Sequence, residues 1–302
     1  MRGGGSSCCR AATTTTLRLW HGLISESEKY FMAVYERLGV RLTAADFAGE
    51  SIYNDRLPSV VEELDKLGLL RESEGARCVF PEGFTNRDGE QLPLIVRKRD
   101  GGYGYASTDL ATIWHRIRDL GADRILYVVG LPQRQYFEMI FQAAREAGWL
   151  SETISAGHVG FGSILGADGK LLRSRAGDSI KLVDLIDEAV RRAEAAVMEK
   201  NPSLDQAARA EVARMVEIGA MKYADLSTER TKDYVFDYDR MLAFDGNTAP
   251  YLQYAHARIR SIFRRGDVQA PHGVERVLVA EPAERALALE LLWVRHGHRR
   301  RR

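Results

Sequence analysis

The 302-residue sequence has few cysteines, no long apolar run and almost no net charge. Its three cysteines, Cys8, Cys9 and Cys78, have neither the spacing of a metal site nor that of a disulfide framework, so a reducing compartment is expected. No apolar segment approaches the length of a membrane span, and no membrane partner is expected. With 43 basic and 42 acidic side chains, the composition gives no general signal for binding nucleic acid.

The two ends of the chain differ in composition from the rest. Residues 1–25 are rich in Ser, Thr, Ala and Gly and contain no acidic residue before Glu26, which is typical of an organellar transit peptide. A disordered or mis-started leader over residues 1–19 is the alternative. The tail RHGHRRRR is a basic terminus that either contacts phosphate or is simply solvated.

The order of predicted elements indicates an α/β fold. The runs ARCVF, PLIVRK, RILYVVG and HVGFGSIL predict strands, and RILYVVG is interpreted as a buried one. Helices are predicted from Pro58 to Leu67, closed by Gly68, and from about Gln135 to Ala147, stopped by Gly148. Alternation of this kind predicts a parallel sheet covered by helices, in the doubly wound class. After residue 180 the pattern becomes helical, and we expect an all-α C-terminal portion.

The stretch YGYASTDLATIWHRI, residues 103–117, joins a polar cluster to an apolar helical stripe that includes Leu110 and Ile113. Tyr105 and Asp109 lie four residues apart at a strand-to-helix junction, where open α/β sheets usually bind ligands. A carboxylate beside a tyrosine suits a guanidinium, which forms two parallel bonds to the carboxylate. Gln133, after the next strand, is expected at the same edge of the sheet. Alternatively, Asp109 caps the helix together with Ser107 and Thr108, and the tyrosines serve packing.

Two further segments have both a functional and a plain interpretation. The glycines of HVGFG, residues 158–162, permit close approach by a flat ligand such as adenine, or they mark a bulged strand. The loop containing Arg173, Ser174 and Arg175 precedes a helix and is suited to polyphosphate. An ordinary solvated basic loop is the alternative.

Seven phrases in this order resemble the arginyl-tRNA synthetases, class I enzymes on a Rossmann-type core. The likeness covers about residues 20–265. The matching phrases are YNDRLPSVVEELDKLGLL, CVFPEGF followed by NRDGEQLPLIVRKRDGGYGYASTDLA, DRILYVVG, FQAAREAGWL, HVGFGSILGADGKLLRSRAGDSIKLVDLIDEA, MKYADLS and FDGNTAPYLQYAHARIRSI.

The resemblance implies roles for three groups of residues. In the family, the Tyr-x-x-x-Asp pair holds the guanidinium of the substrate arginine, which assigns Tyr105, Asp109 and Gln133 to the arginine pocket. The segment His158-Val-Gly160-Phe161 resembles the adenosine-binding stretch. The Lys-Met-Ser-Lys-Ser loop over the ATP phosphates corresponds to Arg173, Ser174 and Arg175, with arginine at both basic positions.

The resemblance also implies a two-step reaction and a domain plan. ATP with Mg²⁺ and arginine give arginyl-adenylate, and the arginyl group then passes to tRNA(Arg). Residues 20–248 correspond to a partial catalytic core and residues 249–302 to a truncated anticodon-binding domain. A cytoplasmic monomer is expected, or a chloroplast or mitochondrial protein if the leader is a transit peptide. The RNA-facing candidates are Asn247, Tyr251, Gln253, Tyr254, His256 and Arg258. Ordinary use on a helix surface is the alternative for them.

One departure from the family pattern affects the expected activity. The sequence contains no His-x-Gly-His element, which in class I synthetases meets the ATP phosphates; His21-Gly22 lacks the second histidine, and His296-Gly297-His298 is at the wrong end. We therefore expect a partial chain, lacking the family's N-terminal part and most of the anticodon-binding domain, that is inactive alone. A non-catalytic arginine- or tRNA-binding fragment is the alternative function, and an unrelated nucleotide-binding enzyme is a third.

Overall fold

The computed structural model describes residues 14–172, 181–266 and 278–299. The chain divides into two compact units, Met1–Tyr251 and Leu252–Arg302. Within the described residues, no helix is both long and apolar enough to span a membrane.

Two helices precede the first strand. Helix α1 (Thr14–Leu38) begins inside the predicted leader, so residues 14–19 are helical, whereas residues 1–13 lie outside the described part of the chain. Helix α2 (Leu57–Lys66) has Pro58 in its first turn, where the missing N–H is no loss, and is followed by Gly68 with φ of +71°. Its buried side chains include Leu57 and Leu64, which join the main core.

A small antiparallel sheet follows α2. Strands β1 (Leu70–Ser73), β2 (Ala76–Val79) and β3 (Leu94–Arg97) are arranged in that order, with Leu70 opposite Val79. The sequence predicted β2 and β3 but not β1. In β3, Leu94 and Val96 are buried and Ile95 is exposed, so one face of this sheet packs on the core.

The centre of the first unit is a parallel β-α-β unit preceded by a helix. Helix α3 (Tyr105–Arg118) leads to β4 (Arg124–Gly130), α4 (Arg134–Glu146) and β5 (Ser155–Phe161). β4 and β5 are parallel and in register from Arg124 opposite Ser155 to Gly130 opposite Phe161. The prediction of a parallel sheet with helices is confirmed for this unit.

The two faces of β4 are unlike each other. Ile125 and Tyr127 are buried in the core with side chains of α3 and α4. Leu126 and Val128, on the opposite face, are 50% and 65% exposed. The interpretation of RILYVVG as a buried strand was therefore wrong for one face, because the described helices cover only the other face of this strand.

A second parallel pair connects the end of β5 to a distant segment. β6 (Ile164–Leu165) pairs with β7 (Tyr234–Val235). The Gly162 N–H donates to the Arg230 carbonyl oxygen at 2.9 Å, and the Ser163 N–H to Asp233 Oδ1 at 2.5 Å. A Cβ at Gly162 would overlap the backbone of Lys232, so only glycine permits this approach.

Helices dominate the rest of the chain, as predicted. In the first unit, α5 (Leu182–Lys200) packs against α6 (Gln206–Ser227) around small side chains, among them Ala193 and Ala213. Helix α7 (Tyr238–Met241) follows β7, and α8 (Ala249–Arg265) begins near the end of this unit. The second unit contains the remainder of α8 and helix α9 (Pro282–Arg299).

Candidate substrate-binding sites

Helix α3 begins at least three residues earlier than the interpretation of Ser107, Thr108 and Asp109 as caps required. Its N-cap is Gly104, and Tyr105 is its first residue. Ser107 is fully buried, and its hydroxyl donates to the carbonyl oxygens of Val96 (2.7 Å) and Gly104 (2.8 Å). Ser107, Thr108 and Asp109 therefore lie inside the helix, so the interpretation of them as capping residues was wrong.

A cleft opens beside the start of α3. Its volume is about 530 Å³, and Tyr105, Ile95, Pro132, Tyr136 and Met139 are among the residues that line it. Tyr105 is 74% exposed, so its ring and hydroxyl are available to a ligand. This cleft lies between β3, the start of α3 and the segment after β4.

Asp109 is half-buried and bonded to a tyrosine from the neighbouring helix. The Tyr136 hydroxyl donates to Asp109 Oδ2 at 2.5 Å. Burial raises the pKa of Asp109, an effect that the Tyr136 hydrogen bond opposes; the charge of Glu50 raises this pKa and that of Arg116 lowers it. Burial and the adjacent Asp109 raise the pKa of Tyr136, so the tyrosine keeps its proton and remains the donor.

Gln133 lies where the sequence placed it, immediately after β4. It ends a short 3-10 helix, Leu131–Gln133, and is exposed. The described residues that line the cleft include Tyr105 and Tyr136 but neither Gln133 nor Asp109. Tyr136 links Asp109 to the cleft, because its hydroxyl donates to Asp109 and its side chain lines the cleft.

The predicted adenosine-binding segment forms the end of β5. His158 Nε2 is 2.9 Å from the Val129 carbonyl oxygen, to which it donates, and its ring stacks on Phe137 at 5.6 Å between centroids. Gly160 is buried, and a Cβ there would lie 2.7 Å from Leu131 Cδ2. Phe161 is 44% exposed, which leaves its ring free to stack on a flat ligand.

Arg230 also contacts this segment, and the sequence patterns gave no indication of it. Its guanidinium donates to the Gly160 carbonyl oxygen. These residues are 70 positions apart in the sequence, and the pairing of β6 with β7 brings their segments together. The predicted phosphate-binding residues Arg173, Ser174 and Arg175 lie outside the described residues.

The predicted RNA-facing residues lie on or beside α8. In the first unit, Tyr251 is 46% exposed, and Asn247 Oδ1 accepts a hydrogen bond from the Tyr223 hydroxyl at 2.6 Å. In the second unit, Tyr254 is 49% exposed and Arg258 Nη1 lies 3.4 Å from its hydroxyl. His256 is exposed and Gln253 is half-buried.

The sequence profile described as "tRNA synthetases class I (R), catalytic domain" matches residues 10–238. The chain belongs to this family. It is 56% identical to the arginine–tRNA ligase of Thermobifida fusca over 277 residues, which are 92% of this chain and 48% of that protein.

Solved structures of arginyl-tRNA synthetases have the same fold. The Plasmodium falciparum enzyme superposes with a TM-score of 0.78 at 29% identity, covering 95% of this chain and 47% of the other. The Thermus thermophilus enzyme gives a TM-score of 0.70 at 26% identity, covering 86% of this chain and 48% of the other. The chain therefore spans about half the length of the relatives it matches.

Tyr136 is the contact to Asp109 that sequence reasoning missed. It follows Gln133 by three residues, in the same segment after β4. The position of Tyr136 in the sequence could have indicated this contact, because residues just beyond parallel strands gather at one edge of a sheet. The tyrosine was instead counted only as part of a predicted helix.

Proposed function

We propose that the chain contributes to an arginine–tRNA ligase, which activates arginine with ATP and transfers it to tRNA(Arg). The observation that carries this proposal is Asp109, a half-buried carboxylate beside an open cleft, within a chain of the arginyl-tRNA synthetase family. Burial removes much of the water around such a carboxylate, which costs free energy. A cation that bonds to the carboxylate offsets this desolvation cost.

On this proposal, Asp109 binds the guanidinium of the substrate. The planar fork of arginine fits a carboxylate through two N–H donors, whereas the ammonium of lysine is a point charge and satisfies the site less well. Tyr105 offers a ring face to the cation, and Gln133 offers an acceptor and a donor. Because burial raises the pKa of Asp109, we expect arginine affinity to fall in acid as this carboxylate becomes protonated.

The end of β5 is the proposed ATP side. His158 is held by the Val129 carbonyl and by Phe137, which fixes its ring, while the exposed ring of Phe161 is placed to stack on adenine. Arg173, Ser174 and Arg175 are proposed to contact the phosphates. No group of three or more acidic, histidine or cysteine side chains in the described residues is arranged to hold a metal, so Mg²⁺ is proposed to enter with the ATP phosphates.

Transfer requires tRNA(Arg), for which helix α8 is the proposed contact. Tyr251 and Tyr254 are exposed and suited to stacking on bases, Gln253 to hydrogen bonding, and Arg258 to phosphate contact. We further propose a monomer in the cytoplasm, with a chloroplast or mitochondrion as the alternative if the first residues direct import.

The 302 residues alone are proposed not to charge tRNA, because the sequence contains no His-x-Gly-His element. The second candidate function is thus a non-catalytic fragment that retains arginine or tRNA binding. The half-buried Asp109, bonded to a tyrosine that lines the cleft, favours arginine for this fragment.

The test is a calorimetric titration of the full chain with arginine, with lysine as the control ligand and circular dichroism to establish that the chain is folded. Asp109→Asn is the test variant and Asp123→Asn, an exposed position after α3, is its matched control. We expect arginine-selective binding in the wild type and in Asp123→Asn, and its loss in Asp109→Asn.

Aminoacylation of tRNA(Arg) by the same preparation separates the two functions. Arginine binding without charging supports the non-catalytic candidate. Charging by the purified chain, with host enzyme excluded, contradicts the proposed inactivity. A folded chain that does not distinguish arginine from lysine contradicts the arginine pocket itself.

A further inference from the structure

The hydrogen bond between Tyr136 and Asp109 joins α4 to α3 and also affects the orientation of the Asp109 carboxylate. The tyrosine comes from α4 and the aspartate from α3, and their bond of 2.5 Å involves only one carboxylate oxygen, Oδ2. The hydroxyl keeps its proton, so the direction of this bond is fixed: tyrosine donates and carboxylate accepts.

The bond restricts how the carboxylate can turn. The terminal torsion of an aspartate is broad and roughly two-fold, so an unrestrained carboxylate samples many orientations. A strong donor at Oδ2 selects one of them, while no other side-chain hydrogen bond is made to this carboxylate by the described residues. Oδ1 and the second lone pair of Oδ2 can therefore accept from a ligand. A two-pronged donor bonds to both oxygens at once, so it needs the plane of the carboxylate to be held in one orientation.

We propose that Tyr136 is the positioning residue of the arginine pocket, because its hydroxyl orients the Asp109 carboxylate toward a planar, two-pronged donor. This inference rests on the proposed function and adds a source of selectivity to it. Orientation benefits a guanidinium more than an ammonium, because a point charge binds a carboxylate in many orientations. Tyr136 therefore contributes to the discrimination between arginine and lysine as well as to affinity.

Tyr136→Phe removes the hydroxyl and keeps the ring that packs beside Phe137. Its matched control is Tyr127→Phe, a buried tyrosine in contact with the same Phe137. The Tyr127 hydroxyl has no hydrogen-bond partner that meets ordinary geometry among the described residues. Both variants are made in the full chain, and circular dichroism establishes that each is folded.

The first measurement is the ¹³C titration of the Asp109 carboxyl in the ligand-free protein, with Asp109→Asn used to assign its signal. Because the Tyr136 bond lowers the pKa of Asp109, we expect the midpoint to rise in Tyr136→Phe. It should shift less in Tyr127→Phe, which removes a hydroxyl near Arg116 but no hydrogen bond to Asp109. The second measurement is calorimetry with arginine and lysine. Hydrogen bonds to charged groups are strong, so we expect arginine affinity to fall roughly tenfold or more in Tyr136→Phe, and lysine affinity to fall less.

An unchanged Asp109 titration in Tyr136→Phe would overturn the inference, as would an equal loss of arginine and lysine affinity. Failure of the wild-type chain to bind arginine is a different result, which contradicts the proposed function. In that case the titration, which needs no ligand, still decides whether Tyr136 holds the carboxylate.

Discussion

Glu217 is a buried acid whose ionisation should make the stability of the fold depend on pH. It lies on α6 with 1% of its surface exposed, and its Oε1 has no hydrogen-bond partner among the described residues. Burial raises the pKa of Glu217 from the ordinary 4.5 to about 7. The charges of Arg37 and Arg214 lower this pKa, and the charge of Asp187 raises it. The charged residues around it come from α1, α5 and α6.

The sign and size of the effect follow from the two pKa values. Between about pH 4.5 and 7 the folded state binds more protons at Glu217 than the unfolded state, so the free energy of unfolding falls as pH rises through this range. Each pKa unit corresponds to about 1.4 kcal/mol, and the ionised carboxylate therefore costs the folded state about 3 kcal/mol above pH 7. At about 2 °C per kcal/mol, this is a difference of roughly 6 °C in melting temperature.

Glu217→Gln removes the charge and nearly preserves the shape. We expect the variant to exceed the wild type in unfolding free energy by about 3 kcal/mol at pH 8.5, and to differ little at about pH 3, where the carboxyl is protonated in both states. Urea titrations at the two pH values measure this difference.

The control for this prediction is Glu211→Gln, an exposed position on the same helix whose carboxylate pairs with Arg214. Both side chains of this pair are exposed and solvent screens their attraction, so the control should change stability little at either pH. A Glu217→Gln variant that is no more stable than the wild type at pH 8.5, or equally stabilised at both pH values, would refute the reasoning.

Three further substitutions test the packing around the candidate site. A Cβ in Gly104→Ala would lie 2.6 Å from the Ile95 carbonyl oxygen. We therefore expect urea titration to show about 1–3 kcal/mol of destabilisation. The helical circular dichroism signal should also weaken if α3 loses its first turn. Leu110→Ala empties a fully buried position and should cost about 2–5 kcal/mol by the same measurement. Burial would raise the pKa of Glu63, but N–H donors from Trp149 and Trp114 and the charge of Arg118 hold it below its ordinary value. Glu63→Gln should therefore destabilise the chain at neutral pH, by an amount that shrinks as pH falls through that lowered pKa; a pH-independent difference would contradict this.

Periodicity predicted most helices of this chain but not the sheet arrangement around them. The apolar spacing of α3 and the glycine stops after α2 and α4 are local signals, so these elements appeared within a few residues of their observed bounds. Strand β1, LRES, has one apolar residue in four and gives no alternating pattern. The exposed face of β4 was missed because a β-branched run does not show whether one face or both are covered.

The candidate site was predictable as a set of residues but not as a set of contacts. The junction at Tyr105 and Asp109 was visible from residue types and from the family resemblance. The Tyr136 bond was not, because it depends on how α4 packs beside α3. The contact of Arg230 with Gly160 was even less predictable, because no local pattern relates an arginine to a glycine 70 residues earlier.

The pairing of β6 with β7 has a consequence for how the chain folds. Its contacts, and the bond from Arg230 to Gly160, join segments about 70 residues apart, whereas β4 and β5 are linked through one short helix. Closing a long loop costs conformational entropy before any contact offsets it, so the β4-α4-β5 unit is expected to form early and the β6–β7 pair late. Substitutions at Gly162 or Arg230 should then mainly speed unfolding and leave the folding rate almost unchanged. Residues 162–165 would then open before the β4-α4-β5 unit under native conditions, and their amide hydrogens should exchange earlier than those of β4.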